Sequence, residues 1–198
     1  MRSRDVKGVR TIERMHSYAN LTLVGPGHAD VVAHLKQLGT VAYVAPTHRN
    51  ATVVYHEDLA SQEPLAAELS QHFDCPVLLV MTYATRVLLY VLCDKGQQID
   101  AYVSEPHEDL TDGATAPPGD PERLADTFSR PTAIRRLTTL LGKPGTEGNG
   151  YAYAANRHGD LCAALNLPTF AVNVGFASIE MGELPAGEGF DAAGLVHT

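Results

Sequence analysis

The chain has 198 residues, of which 44% are hydrophobic, 19% charged and 7% aromatic, and Lys+Arg 15 against Asp+Glu 23 sets a formal net charge of -8. These values fit an ordinary globular chain and exclude wholesale disorder, and the length suffices to bury roughly 70% of the unfolded surface without a disulfide or a structural metal. The acidic balance disfavours a nucleic-acid binder that tracks phosphates, which requires a basic face.

Residues 1–18 read as a flexible N-terminal extension, basic but without the apolar stretch of a secretory signal. The first 14 residues carry five positive and two negative charges, so the remainder holds ten positive against 21 negative residues. Met15 offers a second start.

Residues 19–104 carry the pattern of an α+β sheet core. Ala19–Val24 alternates as a strand and stops at Gly25-Pro26-Gly27, read as a plain turn. His28–Leu38 spaces Val31, Leu35 and Leu38 as a helix, with Gly39 as its C-terminal stop. Val41–Ala45 and Ala51–His56 are strands joined by the short polar Thr47–Asn50, which predicts a hairpin. Ser61 is read as the N-cap of a helix that places Pro64 in its first turn and Leu65, Leu69, His72 and Phe73 on one face. The unbroken apolar runs Val77–Met81 and Val87–Leu92 predict central strands buried on both faces. The stretch from Cys75 to Cys93 spans nineteen residues. It carries Arg86 near its centre, a charge that costs about 3 kcal/mol in a bilayer, so it reads as two strands rather than a membrane span. Asp94–Gln97 is a tight turn with Gly96 at positive φ, and Ile99–Val103 alternates with a wetter face at Asp100 and Tyr102.

Residues 105–119, rich in Pro, Asp, Gly and Thr, read as a loop. Residues 120–178 form a helical part packing on the core: Asp120-Pro121-Glu122 is a helix start, followed by helices at Pro131–Leu141 and Asn156–Asn166, with a last strand at Pro168–Ala177. Residues 179–198 read as a loosely held tail. The order of elements predicts an antiparallel sheet with a ferredoxin-like βαββαβ core, extended by a hairpin and followed by a small helical C-terminal part. The rival is a helix followed by a three-stranded meander over Ser61–Val103.

Strong chemical motifs are absent. There is no phosphate-cradling GxxxxGK[ST] and no GxSxG nucleophile elbow, and the third glycine of a dinucleotide loop is replaced by Asp30. Cys75, Cys93 and Cys162 are an odd, sparse set, read as buried free thiols of a cytoplasmic protein. Histidine is the unusual feature, with nine residues. His56-Glu57-Asp58-Leu59 and His107-Glu108-Asp109-Leu110 repeat one tetrapeptide, each setting an imidazole beside two carboxylates. Such groups suit a divalent metal or a carboxylate-held general base, which makes His56, Glu57, Asp58, His107 and Asp109 the candidate metal ligands. His28 reads as a packing or capping residue, His72 as a core-edge histidine, and Arg157-His158 as a surface pair. Arg123, Arg130, Arg135 and Arg136 read as a solvated face paired with Glu122 and Asp126.

The segment Pro76–Tyr102, the Gly119–Glu122 helix start and the Gly182–Gly187 sequence GELPAG resemble a group of uncharacterised bacterial α+β proteins. That resemblance implies shared structure and carries over no activity or site residue.

Taken together, the sequence predicts a non-enzymatic cytoplasmic protein that binds a partner protein or a small ligand, without a required cofactor. Open sheet edges point to a homodimer. The alternative is a metal- or histidine-assisted, hydrolase-like enzyme built on the His-Glu-Asp segments.

Overall fold

A computed structural model describes residues 17–105, 116–142 and 151–198. The first half runs β1 (Tyr18–Val24), α1 (His28–Leu38), β2 (Ala42–Val44), β3 (Ala51–His56), α2 (Gln62–His72) and β4 (Val77–Tyr83). It continues through β5 (Val87–Asp94), β6 (Gln97–Val103), α3 (Pro121–Thr127), α4 (Ile134–Leu141), α5 (Ala154–Leu165), α6 (Phe176–Glu180) and β7 (Val196–His197). The seven strands form one antiparallel sheet in the order β6-β5-β4-β1-β3-β2-β7.

The alternation of β1 sorts the two faces. Ala19, Leu21 and Leu23 join Val31 and Leu35 of α1 and Leu65, Ala66 and Leu69 of α2 in one core. Beneath the opposite face, Leu78, Val80, Leu88, Tyr90 and Leu92 pack against Leu124 of α3, Leu137 and Leu140 of α4, and Leu161 and Leu165 of α5. The sheet is therefore covered on both sides. That is why β4 and β5 are apolar at nearly every position rather than at alternate ones.

Local signals explain the turns. Gly39 ends α1 in the left-handed region at φ 67, with the Gly39 and Thr40 amides returning to the last turn. Asp120 caps α3 by accepting from the Glu122 and Arg123 amides, with Pro121 in the first turn. Lys95 and Gly96 both take positive φ in the β5–β6 turn. The β4–β5 turn is unusual, because Ala84 at φ 49 and Thr85 at φ 64 take left-handed backbone that favours Gly or Asn.

Three expectations are corrected. The segment expected as a last strand at Pro168–Ala177 is a short 3-10 turn (Thr169–Ala171) followed by α6. The buried Asn20 amide on β1 donates to the carbonyls of Ala171 and Val174, which fixes that segment across the sheet instead of within it. The C-terminal residues are not loose: β7 pairs with β2, and Thr198 exchanges hydrogen bonds with Thr40 and Ala42. Tyr102, expected on a wetter face, is fully buried. Tyr102 pairs in register with Tyr90 on the face covered by α4, and its hydroxyl donates to the Leu141 carbonyl.

Candidate functional site

The open end of the sheet lies where β1 begins and β3 and β4 end. Strand β3 stops at His56 because Asp58 turns the chain. Its side chain accepts from the Ala60 amide and from the Ser61 hydroxyl, capping a 3-10 turn over Leu59–Ser61. Ser61, expected as the cap of α2, makes no capping bond of its own and instead completes the Asp58 turn. Gln62, buried at the start of α2, donates to the His56 and Asp58 carbonyls and holds the corner.

This corner separates two clefts of about 470 Å³ each, both lined by His56, Glu57 and Asp58. The first is completed by Ser17 just before β1, by Tyr18 and Ala19 of β1, and by Gly175 and the start of α6 to Ser178. The second opens between the end of α1 and α2, over Leu38–Val41 and Pro64–Glu68. A third cleft, about 370 Å³, lies beyond Tyr18 and is lined by Thr82, Thr85, Tyr153, Asn156 and Asn173. Gly175 is required where α6 meets the sheet, since a Cβ there would lie 2.9 Å from the Tyr18 Cβ.

The groups in the first cleft are tuned differently. Burial pushes the His56 imidazole below its ordinary value, and the nearby Asp58 and Glu57 carboxylates offset this in part. Its Nδ1 atom is buried and makes no well-formed hydrogen bond among the described residues, while the Asp58 backbone beside the ring also favours the charged form. The Ser61 hydroxyl and Ala60 amide hold the Asp58 carboxyl below the usual carboxylate range. Tyr18 forms the wall between two of the clefts, with its hydroxyl 2.9 Å from Nδ1 of the buried His158. Burial keeps His158 neutral, pushing its pKa down to about 3, so the tyrosine donates and Nδ1 accepts. Burial likewise pushes the thiols of Cys75 and Cys93 up to about 11 and that of Cys162 to about 12, which removes them as nucleophiles at neutral pH.

Of the candidate ligands read from sequence, His56, Glu57 and Asp58 share one corner, with both Asp58 oxygens engaged in its own turn. His107 and Asp109 lie outside the described residues. Two other readings change. Arg157 and His158 form no surface pair, because both are buried on α5. The Arg157 guanidinium sits over the rings of Tyr102 and Tyr151, 5.9 and 4.9 Å from their centroids, and donates to the Tyr102 hydroxyl. Among the α3–α4 arginines, Arg136 pairs with Asp160 at 2.8 Å and Arg123 with Asp120 at 3.7 Å, in place of Glu122 and Asp126.

Sequence reasoning missed a different histidine group. On the outer side of α1 and α2, His34, Glu68 and His72 bring their ligand atoms within 4.8 Å of one another. Glu68 and His72 are one helical turn apart, a spacing visible in the sequence, but their partner comes from another helix.

No protein-family model, curated protein or solved structure matches the chain. Among the described residues, no helix is long and apolar enough to cross a membrane.

Proposed function

We propose that this is a non-enzymatic, cytoplasmic ligand-binding protein whose site is the cleft between His56, Tyr18 and the start of α6. The observation that carries the reading is a mostly apolar cleft of about 470 Å³ with Tyr18, His56 and Glu57 among its walls. That volume suits a small molecule, and the few polar side chains in its wall, His56 and Glu57 among them, supply orienting contacts. Glu57 at the rim and the acidic balance of the chain favour a compact polar ligand with a cationic or hydrogen-bond-donating end. The strand order β4-β1-β3-β2, with α1 and α2 on one face, supports a ferredoxin-like core for this scaffold.

Self-association belongs to the same proposal. Strand β7 covers part of β2, and the Pro117–Pro118 segment bonds to the C-terminal half of β6, so among the described residues the Gln97–Gln98 end of β6 is the edge we assign to a second copy. Light scattering that reads a single-chain mass at high concentration excludes the homodimer.

The enzymatic alternative uses the same neutral His56 as a general base. Its second chemical group is Glu57, since Asp58 is committed to its turn. Thermal-shift measurements with a panel of small amines, amino acids and nucleosides test the binding reading. Binding raises the melting temperature of the native protein, and His56→Ala removes the shift. A panel without effect on either protein counts against it.

A further inference from the structure

On the α1–α2 side of the corner, where Glu68 also lines the second cleft, two imidazoles and a carboxylate come together. His34 of α1 is nearly buried, and its Nε2 lies 2.9 and 3.0 Å from the two oxygens of Glu68. Its Nδ1 is also buried and has no partner among the described residues. His72, the exposed last residue of α2, stacks on His34 with ring centroids 3.5 Å apart. Phe73 packs edge-on against both rings, at 5.5 and 4.6 Å.

We propose that His34, Glu68 and His72 form a binding site for a zinc-class divalent cation, which links α1 to α2. Three observations converge on it. Glu68 and His72 are four residues apart, the helical spacing that aims two ligands at one ion. Two nitrogens and one carboxylate are the donor set of zinc, cobalt and nickel sites, whereas calcium and magnesium take oxygens. The ligand atoms already lie within 4.8 Å, against roughly 3.3 Å between donors on a tetrahedral ion with bonds of about 2.0 Å. Stacked rings cannot both point a lone pair at one ion, so the exposed His72 turns its ring as the ion enters. His34 and Glu68, already joined, need only a small shift. With Glu68 40% exposed, the fourth position opens to water.

The test is isothermal titration of Zn²⁺ into the EDTA-treated full chain at about pH 7.5, with the visible spectrum of Co²⁺ as a second probe. One equivalent of zinc binds, and excess Mg²⁺ does not compete. His72→Ala lies on the surface and leaves the fold intact; it weakens zinc at least about tenfold and abolishes the tetrahedral Co²⁺ band. Glu68→Gln weakens zinc in the same direction, while His56→Ala has no effect. Equal zinc affinity in native protein, His72→Ala and Glu68→Gln overturns the proposal. So does the absence of binding, or loss of binding in His56→Ala.

Discussion

Acid provides a direct test of how α5 is held to the sheet. His158 is fully buried and accepts the Tyr18 hydroxyl through Nδ1, an arrangement available only to the neutral ring. Its pKa is pushed down to about 3 from the ordinary 6.5 by burial. The sign follows from linkage. Below pH 6.5 the unfolded chain takes up a proton that the folded chain refuses. The stability present above that pH is therefore lost at about 1.4 kcal/mol per unit, until the folded ring itself protonates near pH 3. At pH 4.5, two units below the ordinary value, this one residue costs about 2.7 kcal/mol, a large share of the 5–15 kcal/mol typical of a domain.

The assay is urea unfolding between about pH 7 and pH 4.5 for the native chain and for His158→Gln, whose amide still offers Tyr18 an acceptor. Other titrating groups with shifted pKa values, His56 among them, contribute to both curves. Only the difference in slope reports His158. The native chain loses about 2–3 kcal/mol more than the variant over this interval. Parallel pH profiles would refute the assignment of His158 as a buried neutral ring.

Other substitutions probe the scaffold. Replacing the left-handed pair Ala84-Thr85 with Asn-Gly stabilises the β4–β5 turn by about 1–2 kcal/mol, read as a higher urea midpoint. A lower midpoint means that something other than backbone strain selects these residues. Gly39→Ala costs about 1 kcal/mol, since a Cβ there meets nothing within 4 Å and only the φ of 67 is unfavourable. Gly119→Ala costs about 2 kcal/mol or more, because at φ 72 its Cβ would also lie 2.6 Å from the Tyr90 hydroxyl. Equal losses at the two glycines would contradict this packing. Deleting Val196–Thr198 bares the edge of β2, so amide exchange at Ala42 accelerates and self-association increases. Unchanged exchange would show that β7 does not protect that edge.

Much of the sheet was legible because the relevant signals are local. The spacing of Val31 and Leu35 before Gly39, the Asp120-Pro121 start, the Asp94–Gln97 turn and the doubly apolar β4 and β5 each follow from a few adjacent residues. The failures involve partners distant in sequence. The Pro168–Ala177 segment has strand-like composition, but Asn20, some 150 residues earlier, takes its carbonyls. Strand β7 is two residues long, too short for a periodic signal, and depends on β2. Arg157, Leu161 and Leu165 recur at helical spacing, so the buried stripe was present. Its charged member is explained only by two tyrosine rings supplied from elsewhere. At the candidate site, the His56-Glu57-Asp58 tripeptide was visible, but the walls from β1 and α6 that make it a cleft were not. In the outer cluster, Glu68 and His72 are one turn apart, while His34 becomes their neighbour only after α1 and α2 pack side by side.

The binding reading is tested most directly by nuclear magnetic resonance of the ¹⁵N-labelled chain, titrated with a small-fragment library at about 1 mM each, a concentration that registers even weak binders. A cleft at the sheet end predicts that some fragments shift the amides of Tyr18, His56, Glu57, Phe176 and Ala177 together, and that His56→Ala abolishes the response. Fragments that bind elsewhere and leave those five amides unmoved would contradict it, as would a library with no binders.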